Sequence, residues 1–133
     1  MRVQARGADV DTIDWMPNEK QKLKLLHQGQ TVVTNITTDD DQNLMQYAQR
    51  QGHYVYCGRK TNGDPKPWGN PYVMDKDGGK DGDRDDVCDK HKANISADIL
   101  MRIYQLKGKL LGCYCSPQRC HCDYLAELAN SLE

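Results

Sequence analysis

Leu110-Leu111-Gly112-Cys113-Tyr114-Cys115-Ser116-Pro117-Gln118-Arg119-Cys120-His121-Cys122-Asp123 is the stretch from which the fold is read. Its leading Leu-Leu-Gly reads as the end of a buried strand. The residues after it, from Tyr124 through Leu125, Leu128 and Ala129, repeat apolar side chains at helical spacing, with Asp123 placed as N-cap. The segment therefore predicts a strand, a sharp Ser-Pro loop and a helix whose first N–H groups point back into that loop. It also holds four of the six cysteines of the chain.

Upstream, the same alternation recurs. Pro17 suits a first helical turn, and Leu23, Leu25 and Leu26 carry an amphipathic helix to Gly29. Thr31-Val32-Val33-Thr34-Asn35-Ile36 is β-branched and predicts a strand. Thr38 and the three aspartates after it open a second helix that ends near Gly52. His53-Tyr54-Val55-Tyr56-Cys57-Gly58-Arg59 is another strand, whose Gly58-Arg59 end leads over 60–72 into a loop too rich in Gly and Pro to form an element. The acidic run 75–86 reads as solvated loop, since it lacks the ordered ligand spacing of a calcium loop. Two helices follow, one ending near Asn94 and one capped by Ser96. Strands alternating with helices predict an α/β fold with a small sheet of about three to five strands and flanking helices; an α+β arrangement with antiparallel pairing is the alternative.

The composition narrows the class. A length of 133 residues fits a single domain, and 18 basic against 19 acidic residues give a net charge of -1. That balance predicts no non-specific nucleic-acid binding. No apolar run approaches a bilayer span, so no membrane association is expected and a cytoplasmic location is, with cysteines as thiols or metal ligands.

Four ordered motifs carry a resemblance: Tyr56-Cys57-Gly58-Arg59, Trp68-Gly69-Asn70-Pro71-Tyr72, the run from Gly108 and Lys109 to Cys113 and Cys115, and Pro117-Gln118-Arg119-Cys120-His121-Cys122-Asp123. Over about residues 31–130 the chain resembles the domain of unknown function 4326 family, a small domain common in phage and bacterial genomes. The resemblance implies a family-like core, with residues 1–30 an N-terminal extension bearing one helix and the helix near 38–51 an insertion. Cys57 and Cys122 stand where the family usually has an aliphatic residue and Gly. The family brings no settled activity, so it marks residues to watch without naming a reaction.

Two chemistries suit those residues. The first is a pocket formed by the Gly-Arg, Trp-Gly-Asn-Pro and Cys-rich loops that binds a nucleotide-like or other phosphorylated small molecule. Arg59 and Arg119 would supply charge-assisted contacts, Trp68 a stacking face, Asn70 a polar edge and Tyr56 a wall. Whether such a ligand is only held or also transformed stays open; His121, Asp123 and Cys115 are the candidate catalytic groups. Cys113 and Arg119 also match the Cys-x5-Arg spacing of a phosphate-cradling nucleophile loop. The second chemistry is a zinc site, with Cys113, Cys115, Cys120 and Cys122 as ligands in a non-enzymatic, zinc-stabilised interaction module, phage-encoded and directed at a host protein. Cys57 and Cys88 read as small buried side chains, and His27, His53 and His91 as solvated ones.

Overall fold

The computed structural model describes residues 13–37, 39–57, 68–114 and 118–132. Three short apolar segments form its sheet: β1 (Val32–Asn35), β2 (Tyr54–Tyr56) and β3 (Leu110–Cys113). All pairings are parallel and the order is β1-β3-β2, with Leu110 opposite both Val32 and Tyr54. This is the α/β arrangement; no antiparallel pair occurs in it. The strand latest in the chain thus lies in the centre, and all four of its residues are buried.

Parallel strands need crossovers, and helices supply them. Among the described residues the helices are α1 (Pro17–His27), α2 (Gln42–Arg50), α3 (Arg84–Ala93), α4 (Ala97–Arg102) and α5 (His121–Asn130). The helix expected over 38–51 begins as a 3-10 turn at Asp39–Asp41 and continues as α2. It carries the chain from β1 to β2 across β3, and its Leu44 and Ala48 are fully buried.

Side chains alternate across the sheet and so feed two cores. On one face, Val32 and Leu110 pack with Leu23 of α1 and with Leu44 and Ala48 of α2. On the other, Leu111 and Cys113 meet Leu125, Ala126 and Ala129 of α5, together with Ile103, Leu106, Cys57 and Trp68. Each fully buried leucine contributes about 1.5–3 kcal/mol relative to exposure. Glu19 joins α1 to α2 across the first core: wholly buried, it accepts from the N–H of Met16 at 2.9 Å and of Leu44 at 2.7 Å.

Gly112 is required by packing. A Cβ there would collide with the Tyr54 hydroxyl and lie 2.8 Å from Ile36 Cγ2, so only glycine lets the tyrosine ring cross the central strand.

One helix boundary differs from the expectation. The N-cap of α5 is Cys120, and Asp123 is the third helical residue, its carboxylate accepting from the Cys120 N–H at 3.0 Å. The acidic half of a capping box is present, with cysteine standing where Ser or Thr is usual.

Candidate functional site

The carboxyl ends of β2 and β3 open into a cavity of about 550 Å3. Tyr56 and Cys113 end the strands that floor it, while Arg119, Cys120 and His121 enter with the start of α5. Arg84, Val87 and Cys88 of α3 and the segment bearing Asn70, Tyr72 and Met74 close the opposite side. In open parallel sheets the carboxyl edge is where ligands are held, because loops and helix N-termini gather there.

Of the residues expected to build a pocket, Tyr56, Asn70, Arg119, Cys120 and His121 line this one cavity although they lie far apart in sequence. Arg59 and Cys115 fall outside the described residues. Tyr56 forms a wall, edge-on to Tyr114 at 6.2 Å between ring centroids. Asn70 holds its own turn: its side-chain oxygen accepts from the Tyr72 N–H at 2.9 Å, and its amide donates to the Val87 carbonyl at 3.1 Å.

Two residues have a different place from the one expected. Trp68 is only 5% exposed and belongs to the apolar core around α5, so its ring presents no stacking face to the cavity. Burial of its large apolar surface outweighs any role at the rim. Arg119 sits on the cavity wall, but its guanidinium is taken up by two carboxylates of α3, Asp85 at 3.0 Å and Asp89 at 2.7 Å. These partners raise its pKa and tie α3 to the start of α5. The cradling role in a Cys-x5-Arg loop asks for a guanidinium that this pair of aspartates already occupies.

His121 is buried, and its partners fix its state. Nε2 lies 2.6 Å from the Cys57 carbonyl and 2.8 Å from that of Trp68. Carbonyls only accept, so Nε2 carries the hydrogen. Burial lowers the pKa of the ring, partly opposed by those two bonds, and keeps it neutral. Nδ1 is then a bare acceptor, 3.5 Å from Cys120 Sγ. Asp123 lies at the helix start, where burial raises its pKa while the Cys120 N–H opposes the shift.

The thiols of Cys113, Cys120 and Cys122 lie within 4.8 Å of one another, all three residues buried, and could hold a metal ion. Cys122 is also bonded to the Cys57 carbonyl at 3.6 Å. Contacts with the thiols of Cys113, Cys120 and Cys57, reinforced by burial, push its pKa well above the cysteine range.

Several features were not foreseen from the sequence. Arg84 and Lys76 line the cavity from the run taken as solvated loop. Among the described residues Arg84 makes one hydrogen bond, to the Arg119 carbonyl at 3.3 Å, and pairs with no carboxylate. The sequence clue was a basic residue at the cap end of an acidic run, just where α3 begins. His91, expected in solvent, is 7% exposed, with its ring 5.1 Å from that of His121 and Nδ1 without a hydrogen-bond partner among the described residues. Burial, then the neighbouring His121, depress its pKa to about 4. The cause is its place on the inner side of α3, facing α5. No helix among the described residues is long and apolar enough to cross a membrane.

Comparison with known proteins adds one match. The family model described as Domain of unknown function (DUF4326) matches residues 42–131, well over half of the chain, from the first residue of α2 to just past α5. Neither a curated protein nor a solved structure matches the chain.

Proposed function

We propose that this chain, which belongs to the DUF4326 family of domains of unknown function, binds a nucleotide-like or other phosphorylated small molecule at the carboxyl edge of its sheet. The observation that carries the reading is the 550 Å3 cavity between β2, β3, α3 and the start of α5. Its size falls in the range of small-molecule pockets, about 300–1,000 Å3.

The lining suits that ligand class. Tyr56, Tyr72 and Tyr114 offer aromatic surface for a planar ring, and Lys76 and Arg84 bring positive charge against the single acid Asp77. A phosphate placed near Arg84 also meets the N-terminal end of α5, whose dipole favours an anion.

Thermal shift and calorimetry with a panel of nucleoside phosphates and sugar phosphates test this reading, with the unphosphorylated nucleosides as controls. Phosphorylated members are expected to raise the melting temperature. Arg84→Ala is expected to weaken them tenfold or more, the worth of a charge-assisted bond of about 1.5–3 kcal/mol, with folding unchanged. A panel without a binder, or binding that persists in a Lys76→Ala/Arg84→Ala protein, overturns it.

A further inference from the structure

We infer that Cys113, Cys120 and Cys122 form a three-thiolate zinc site whose fourth coordination position opens into the cavity. These are three of the four cysteines that the sequence suggests; the fourth, Cys115, lies outside the described residues. The site stands independently of the phosphorylated-ligand reading.

Two separate pieces of structure bring the sulfurs together: the end of β3 and the first turn of α5, which supplies both its N-cap and its second residue. Their Sγ atoms lie within 4.8 Å of one another. A tetrahedral zinc with bonds of about 2.3 Å sets its sulfurs about 3.8 Å apart, so side-chain adjustments of about 1 Å close the site. A purely apolar role asks nothing of sulfur, since Ala or Val fills comparable space, yet here the sulfur atoms are what meet.

The number and type of donors select the metal. Thiolates favour soft and borderline ions, zinc among them. Zinc accepts three protein ligands and an exchangeable fourth, the pattern of sites that keep an open position. Cys113 and Cys120 line the cavity, whereas Cys122 is fully buried behind them. Among the described residues no fourth donor joins the three sulfurs, and the side of the site bearing Cys113 and Cys120 is the one nearest the cavity, where water or an oxygen donor would complete the tetrahedron.

The surroundings accept the charge. As each metal–sulfur bond forms, the thiol releases its proton to solvent, and three thiolates with a divalent ion leave one net negative charge. That charge sits at the first turn of α5, a ten-residue helix whose N-terminal N–H groups favour an anion. His121 Nε2, pinned by the Cys57 and Trp68 carbonyls, stands 3.7 Å from Cys122 Sγ and provides an outer polar contact.

Cobalt substitution of the full chain, kept reduced and anaerobic, tests the assignment. One equivalent of Co2+ is expected to give thiolate-to-cobalt charge-transfer absorption and tetrahedral visible bands, displaced by one equivalent of Zn2+. Added azide is expected to alter the visible bands by entering the open position. Cys122→Ser is expected to lose the charge-transfer band, and Cys57→Ser to keep it. Should Cys122→Ser fail to fold, melting of the unmodified chain with Zn2+ and with chelator decides, a rise and a fall being expected. Absence of the band, or melting indifferent to both additions, overturns the site. A band retained in Cys122→Ser or lost in Cys57→Ser overturns the ligand set, and bands insensitive to azide overturn the open position.

Discussion

His121, the first residue of α5, donates from Nε2 to the carbonyl of Cys57, the residue that follows β2, across 2.6 Å. Sixty-four positions separate the two in the chain. The same nitrogen reaches the Trp68 carbonyl, so one imidazole joins the helix start to both Cys57 and Trp68.

Removing that ring should cost stability before it affects any chemistry. His121→Phe takes the ring donor from the Trp68 carbonyl and leaves the Cys57 carbonyl with only the weak Cys122 thiol, and a loss of about 1–3 kcal/mol in denaturant unfolding is expected. His121→Gln, which returns an N–H donor at comparable reach, should recover part of it. Unchanged stability in His121→Phe would show that the ring does not hold the site together.

Gly112→Ala should overpack the sheet, because the new methyl meets the Tyr54 ring and Ile36. The expected cost is about 1–3 kcal/mol, read as a lower unfolding midpoint. Tyr54→Ala placed on top should relieve part of the clash, so the two substitutions should be non-additive. Additive effects would mean that the tyrosine does not set the glycine requirement.

His91 gives the fold an acid sensitivity. Its pKa is about 4 when folded against an ordinary 6.5, so between these values the unfolded chain binds a proton that the folded chain does not. Stability is therefore full above pH 6.5 and declines on acidification toward pH 4, by on the order of 3 kcal/mol at most. His121, shifted in the same direction, adds to the slope. His91→Gln should flatten the dependence of unfolding on pH across that window, and an unaltered profile would assign the sensitivity elsewhere.

Local chemistry made much of the fold legible. Val32, Val33, Tyr54, Val55, Leu110 and Leu111 marked the three strands, and Pro17, Ser96 and Gly29 marked helix ends, because those preferences act within a few residues. Strand order was hidden, since nothing near Leu110 records that it pairs with both Val32 and Tyr54. The same holds for the site. Tyr56, Asn70, Arg119, Cys120 and His121 could be named from their motifs, but the aspartates that occupy Arg119 lie 30 and 34 positions away. Arg84 was masked by its acidic neighbours, and Asp123 took the cap in the sequence reading because cysteine is a poor cap by propensity.

The central position of β3 has a consequence for how the chain acquires its shape during synthesis. Among the described residues β1 and β2 are both edges, and each pairs only with a strand that begins at Leu110. At about 5–20 residues per second, a ribosome takes several seconds or more to pass from Val32 to Leu110. Throughout that interval neither β1 nor β2 has its β3 partner, and none of the described strand pairings exists. The cluster of α1 and α2 around Leu23 and Leu44 is the part of the core that can gather first, while every strand pairing waits for the last quarter of the chain. Such late, non-local closure is the topology associated with slow folding and exposure to aggregation. Shielding β1 and β2 is thus a task for the early helices, and weakening Leu44 should lower the yield of folded protein from translation more than its effect on equilibrium stability alone would indicate.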